Sequence, residues 1–523
     1  MKVARACKQC RSVKRRCVKS EAHKSCAQCL RRALDCSFSY QHSALQHQSI
    51  LPNPAPACQV PSTTTSTWVG GLDSDLRDEL VELYFRLIHD KPHTLFYQPT
   101  LKRQIQNGSV HLAVLYGVLG IAARFSSDDT RLRTSEFGAC AKAFLKKDID
   151  RICLENVQAS VLIGNICGAE SDSDAESLFF GIAIRMAQIL HLPKPHPSDD
   201  AIAAETKCRV WWSLYMIDQW ASAGVDLPRQ IRNDNDNILP MHELDFRCLQ
   251  SREALSTTRT LRPSLWAHMI SLAQIFGRIQ DLHWNHTSGN LSDAQVEAIA
   301  QKLAMDLERF VEDLPLSDRL TMENLKQHAD QGLGQAFVAL HLGYHHYATL
   351  LYFQYLDMQL DPTPITMLFA SRCKKHAAAF SDLLRTARER AGCEAVYVIV
   401  AHMTVVSSSA LLYTLLFGED YELPSTRERL RVNFETLIQL RNYWPAVSMM
   451  MDRLFAFQDI CMWSADPNTH KVDKWMVKFL LQHNLPVDKN KVEAVEGSSA
   501  DYHRAAERGK VARDALSIHL PQS

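Results

Sequence analysis

Six cysteines fall within the first 36 residues, at Cys7, Cys10, Cys17, Cys26, Cys29 and Cys36, and they are the side chains of this sequence best placed to do chemistry. Their spacing, Cys-x2-Cys-x6-Cys-x8-Cys-x2-Cys-x6-Cys, forms two near-equivalent halves. Zinc takes four thiolate or imidazole ligands in a tetrahedron. Two zinc ions need eight ligand positions, and six cysteines fill them only when two thiolates bridge both metals. Six thiolates and two Zn²⁺ leave a residual negative charge that neighbouring Lys and Arg offset. So short a segment has little core of its own, and metal binding would supply most of its folding free energy. Three other readings remain open on the cysteines alone. One is a disulfide knot, which needs an oxidising compartment. The second is a single four-cysteine zinc site with two spare thiols. The third is a structural zinc module that binds a protein.

The charge distribution singles out the same segment. The 523 residues carry 58 Lys+Arg and 58 Asp+Glu, a formal net charge of zero. Residues 1–36 hold eleven of the basic side chains against Glu21 and Asp35 alone, a net of +9, which leaves −9 on the rest. A basic head on a mildly acidic body suits a polyanion-binding module joined to a domain that does not itself wrap nucleic acid. Hydrophobic residues make up 46% of the chain, enough for a sizeable core. No window reaches the roughly 20 apolar residues of a membrane span, the nearest being 110–123. No membrane partner is therefore expected. The N-terminus starts charged and develops no signal-peptide stretch, so an intracellular protein is expected.

The elements that must carry such a head follow from the rest of the pattern. Residues 1–40 are the Cys-rich basic module. Residues 41–71 lack Lys, Arg, Asp and Glu, and hold Pro52, Pro54, Pro56 and Pro61 before a Ser/Thr run. They read as a flexible linker. Residues 72–485 show helical periodicity almost throughout, as in Leu76, Leu80, Tyr84, Leu87 and Ile88. Ser292-Asp293-Ala294-Gln295 is a capping-box signature. Long apolar-periodic stretches run over 334–358, 366–391, 395–417 and 428–463. Strand signals are sparse. The tail, 486–523, is polar and is expected to be poorly ordered. The fold class expected is thus a small zinc-stabilised binuclear cluster module plus a large all-α helical regulatory domain. The nine cysteines outside the module read as small buried hydrophobes.

Two stretches carry a family resemblance. Ala6-Cys7-Lys8-Gln9-Cys10-Arg11-Ser12-Val13-Lys14-Arg15-Arg16-Cys17, followed by Cys26-Ala27-Gln28-Cys29-Leu30-Arg31-Arg32-Ala33-Leu34-Asp35-Cys36, resembles the fungal zinc binuclear cluster transcription factors. The resemblance implies two zinc ions per chain, bridged by Cys7 and Cys26, and a short helix after Cys10 that enters the DNA major groove. Lys14 would then read the guanines of a CGG-type half-site, with Arg11 and Arg16 on phosphates and Lys8 and Arg15 as further DNA contacts. Lysine matches guanine because O6 and N7 are the acceptor pair that marks G in that groove. A nuclear location and double-stranded DNA and transcription-machinery partners follow from the same resemblance. Two departures stand out: Lys24 replaces a frequent proline before the fourth cysteine, and Val13 a frequent basic residue before the key lysine. Lys207-Cys208-Arg209-Val210-Trp211-Trp212-Ser213-Leu214-Tyr215-Met216-Ile217-Asp218 resembles the signature of the family's helical regulatory domain, with Asp226-Leu227-Pro228 in place of the usual Gly-Arg-Pro. Residues 175–190 resemble the helix before that signature.

Other signals point less far. His341 and His345 lie at i and i+4 with His346 beside them, but apolar and aromatic neighbours favour structural histidines. Trp211 and Trp212 are expected to span core and boundary, and Asp218 to make a helix–helix polar contact. No phosphate loop, dinucleotide fingerprint or nucleophile elbow occurs, so no catalytic residue is assigned and an enzyme is not expected. The function expected is a sequence-specific DNA-binding regulator of a metabolic gene set; the alternative is a zinc-dependent scaffold whose basic head binds protein or RNA. The linker prolines would break a coiled coil, so any homodimer is expected to form through the helical domain. Elemental analysis of the purified full-length chain should give two zinc ions per chain. Cys7→Ala and Cys26→Ala, each removing a ligand from both metals, should lower that number further than Cys17→Ala does.

Overall fold

A computed structural model describes residues 73–482, apart from 92, 195, 233–236, 251–263, 358–359, 464–471 and 473, together with residues 17, 29, 507 and 508. The chain divides into two compact units, residues 1–58 and 59–523. In the first, Cys17 is half-buried, and Cys29 is helical and 1% exposed. The other four expected zinc ligands (Cys7, Cys10, Cys26 and Cys36) lie outside the described residues, as do Lys8, Arg11, Lys14, Arg15 and Arg16, the linker before Asp73, and most of the tail.

The second unit is helical, and its described residues form no strand beyond an isolated bridge between His89 and His93. Helix α1 (Ser74–Leu87) opens on Asp73, whose side chain accepts from Asp75 N, and buries Leu80, Val81, Leu83 and Tyr84. A short helix α2 (Gln98–Gln106) starts with proline in its first turn. Helix α3 (Leu112–Ala122) has almost no polar face, and a helix apolar all round belongs in a core. It packs on α5 (Thr134–Asp148), which follows the single turn α4 (Asp128–Arg131), and on α6 (Leu154–Ala169). Helix α7 (Ser173–Ile189) folds back along α6 around a turn in which Ser171 adopts φ 63°. The close approach of α6 and α7 depends on glycine. A Cβ at Gly164 would stand 2.4 Å from Phe180 Cε1, and one at Gly168 2.4 Å from Glu176 Oε1.

A long central helix, α8 (Ala201–Gly224), leads through α9 (Glu243–Cys248) to α10 (Leu265–Thr287). Helix α11 (Asp293–Asp313) begins at Ser292 with the capping box legible in the sequence. After α12 (Met322–Asp330) come α13 (Gly334–Tyr352), α14 (Pro364–Glu389), α15 (Ile399–Phe417), α16 (Leu423–Arg441), α17 (Ala446–Trp463) and α18 (Lys474–Leu481). Helices α13 and α14 pair, α15 is covered by α14, α16 and α17, and α10 packs on α8, α11, α13 and α18.

Several expectations need correction. The stretch 428–463 is two helices, because Pro445 has no N–H to continue a ladder and Trp444 Nε1 donates to Val396 O at 2.6 Å, pinning the break. Among the described residues the most membrane-like helix is α15 rather than 110–123. It is long and apolar enough to cross a bilayer by length and composition, yet it is almost wholly buried inside the fold. Of the scattered cysteines, Cys140, Cys167, Cys208, Cys373, Cys393 and Cys461 are buried, but Cys248 is exposed and Cys153 half-buried. In the tail, Arg508 is buried and donates to the carbonyls of Leu416 (3.2 Å) and Gly418 (3.0 Å) at the end of α15. Those carbonyls lack intrahelical donors, and a cation beside them also suits the helix dipole. Gly164→Ala should force Phe180 off its seat and lower unfolding stability by about 1–3 kcal/mol, the usual cost of overpacking, as read by urea denaturation.

Candidate functional site

Helix α8 carries the signature stretch, and its side chains fasten two irregular segments to the core. Glu205 and Arg209, one turn apart, form an ion pair at 2.9 Å with both side chains essentially inaccessible. Arg209 Nη2 donates to Met241 O at 2.6 Å while Glu205 Oε1 accepts from Met241 N at 2.9 Å, so the pair closes on both polar groups of one residue. The guanidinium also stacks 4.3 Å from the Phe246 ring. Cys208 Sγ and Trp212 Nε1 both donate to Ile238 O, at 3.2 and 2.8 Å. On another face, Ser213 Oγ accepts from Thr94 N at 2.9 Å and donates to Thr94 O at 3.2 Å. Each contact satisfies backbone groups that have no regular ladder to join.

The chain leaves α8 through a turn in which Leu227 N bonds Ser222 O and Asp226 N bonds Ala223 O. This is a Schellman ending, and its left-handed position is Asp226 at φ 59°. The resemblance places Gly there. Aspartate tolerates that conformation better than most residues, so the turn survives the departure. Asp218 then serves the loop. Its Oδ2 accepts from Gln230 N and Ile231 N at 2.8 Å each, and Oδ1 accepts from Ser222 Oγ at 3.0 Å. Burial pushes the Asp218 carboxyl up against these stabilising hydrogen bonds. The contact is therefore helix to loop, not helix to helix as expected. Trp211 and Trp212 are both buried, 9% and 2% exposed, rather than at a boundary.

Sequence reasoning missed two positions. Glu205 completes the Arg209 pair, and its spacing on the helix was the available signal. Glu243, 1% exposed, accepts from Trp266 N at 3.0 Å and Leu265 N at 3.3 Å, capping α10 with a carboxylate. The histidines of α13 do not converge. His341 Nε2 lies 2.9 Å from Asp318 O, His345 Nδ1 3.0 Å from His376 Nδ1, and His346 stacks 5.3 Å from Trp220. Burial holds His341 and His376 down to about 4.

A half-enclosed cavity with about 120 Å³ of open space lies beside α8, α10 and α13, walled by Phe180, Met216, Trp220, Met269, Tyr347 and Met403. Lys91, Asn165 and Glu176 are in its lining, with the phenols of Tyr347 and Tyr397.

Comparison with known proteins converges on transcriptional regulation. Residues 81–311 match the fungal specific transcription factor domain, a region spanning α1 to α11 and including the signature helix. The chain is 23% identical to an uncharacterised transcriptional regulatory protein of Schizosaccharomyces pombe, over 76% of this chain and 49% of that protein. It is 24% identical to a Zn(2)-C6 fungal-type transcription factor of Fusarium oxysporum f. sp. lycopersici, over 73% of this chain and 45% of that protein. The chain thus spans about half the length of these curated relatives. These similarities support a fungal transcription factor. The large helical domain fits that class.

Glu205→Ala would leave the Arg209 guanidinium buried without its adjacent carboxylate. Unfolding stability should fall by about 3–5 kcal/mol, measured by thermal or urea denaturation, and the double change Glu205→Ala/Arg209→Met should recover much of the loss.

Proposed function

We propose that this chain is a sequence-specific DNA-binding transcription regulator that recognises CGG-type half-sites and controls a metabolic gene set in the nucleus. The observation that carries the reading is the six-cysteine, +9 head joined to a body matching a fungal transcription factor domain. Cys7, Cys10, Cys17, Cys26, Cys29 and Cys36 would hold two zinc ions, with Cys7 and Cys26 bridging. The donor set suits zinc, being all thiol and short of the eight positions two ions need by the two that bridging supplies. Zinc would contribute folding free energy and a fixed scaffold. The chain's own basic residues would do the reading.

In this proposal Lys14 donates to guanine O6 and N7, while Arg11 and Arg16, with Lys8 and Arg15, contact phosphate or flank the groove. Phosphate contacts set register and affinity without carrying sequence information. The acid-leaning body stays off the DNA and offers its surface to the transcription machinery or to a second copy of the chain. A dimer made through the helical domain, with residues 41–71 as a flexible tether, would leave half-site spacing loosely set.

Binding of the full-length chain to CGG-containing and scrambled duplexes tests the assignment. Lys14→Ala should lose about 1–3 kcal/mol of discrimination between them. Arg16→Ala should weaken both alike and reduce the salt slope by roughly one unit. An unchanged CGG-to-scrambled ratio in Lys14→Ala removes the base-reading role, and preferential binding of single-stranded RNA or protein would favour a zinc-dependent scaffold instead.

A further inference from the structure

Gly343 sits in the middle of α13, where glycine weakens a helix relative to alanine. Other buried helical glycines of this domain answer to a close neighbour. A Cβ at Gly117 would lie 2.9 Å from Leu162 Cβ, and one at Gly164 2.4 Å from Phe180 Cε1. At Gly343 the nearest atoms would be Leu272 Cδ2 at 3.7 Å and Tyr347 Cε2 at 4.0 Å, which are ordinary contact distances. The missing methyl group relieves no clash. Both neighbours belong to the wall of the cavity beside α8, as does Gly343 itself. Glycine at this position therefore leaves space open in that cavity.

The wall defines what would fit that space. About 120 Å³ is close to the roughly 150 Å³ of an apolar cavity that admits benzene. Trp220, Tyr347 and Phe180 present aromatic surface, and Met216, Met269 and Met403 supply adaptable thioethers. The charged groups of the lining are already engaged. Lys91 Nζ donates to Arg86 O at 3.0 Å and Phe85 O at 3.5 Å, at the end of α1, and Glu176 has its own partner within the chain. Asn165 Nδ2 donates to Val161 O at 2.9 Å. A guest that suits such a wall carries no charge, because burying an unpaired ion costs far more than apolar contacts return.

One polar group of the wall stands apart. Tyr397 is 4% exposed and lies just before α15, on a segment pinned by the Trp444 bond to Val396 O. Its hydroxyl has no hydrogen-bond partner among the described residues, whereas the Tyr347 phenol has the Trp220 side chain. Burial pushes the Tyr397 phenol up, so the hydroxyl keeps its proton and stays a donor. A buried donor without an acceptor is costly, and an oxygen brought in by a guest would relieve that cost. From this geometry we propose that the cavity is a binding site for a small neutral molecule, a single ring or short branched chain carrying one hydroxyl or carbonyl oxygen, with that oxygen accepting from the Tyr397 hydroxyl. The apolar body occupies the space left open at Gly343.

Calorimetric titration of the full-length protein with phenol, and with toluene as the isostere that lacks the oxygen, tests the site. Both should bind saturably in the millimolar range or below. Tyr397→Phe should weaken phenol roughly fivefold and change toluene by less than about twofold, the scale of one neutral hydrogen bond. The unliganded Tyr397→Phe protein should keep or raise its Tm, because it loses a buried hydroxyl that had no partner. Gly343→Leu should block both compounds. Gly343→Ala, which fits without a clash, should keep or raise Tm and weaken both several-fold. No saturable phenol binding, an unchanged phenol-to-toluene ratio in Tyr397→Phe, a lowered Tm in that variant, or unchanged binding in either Gly343 variant would each overturn the proposal.

Discussion

A guanidinium with no access to water must find its counter-charge and hydrogen-bond acceptors inside the protein, and in this domain Arg209 organises a large part of the structure by that need. Glu205 supplies the charge, Met241 O an acceptor and Phe246 a polarisable face. Leaving such a charge uncompensated costs more than most single contacts contribute, so the path of residues 238–246 follows the location of α8. That path delivers Glu243 to the start of α10, where its carboxylate receives two backbone N–H groups. Helix α10 then carries Met269 and Leu272 into the cavity wall. One buried pair is thus linked, step by step, to the wall of the cavity.

The same logic runs along the rest of α8. Its side chains at Cys208, Trp212, Ser213 and Asp218 all meet backbone groups of segments that are neither helix nor sheet. The signature stretch therefore acts as a fastening strip for irregular chain. Met216, Ile217, Trp220 and Ala221, on its later turns, line the cavity instead. This gives the stretch a physical role independent of any contact with DNA. Base recognition, in the proposed function, belongs to the basic head, and the charge asymmetry between head and body keeps the two tasks separate.

Much of this was legible in the amino-acid sequence. The cysteine spacing and the +9 head are local patterns, and a metal module is specified by ligand spacing rather than by distant packing. The all-helical body followed from periodicity, and the capping box at Ser292 fixed the start of α11, because caps are satisfied by residues three positions away. Pro445 was a visible break inside 428–463, but the apolar period continued across it and concealed the boundary.

What only the tertiary structure decided are the partners of polar side chains and the space left between apolar ones. Asp218 on an apolar helix gives no sign that its acceptors will meet Gln230 N and Ile231 N, since those groups are brought there by the turn at Asp226. Adjacent tryptophans do not reveal that both will be covered. Gly343 reads in sequence as a weak point in a helix, and the cavity it lines depends on Leu272, Met216 and Trp220 arriving from two other helices. Local spacing determines helices, caps and ligand sets because their interactions close within a few residues. Burial, loop anchoring and cavities are set by contacts between segments tens to hundreds of residues apart, and only the folded chain brings those together.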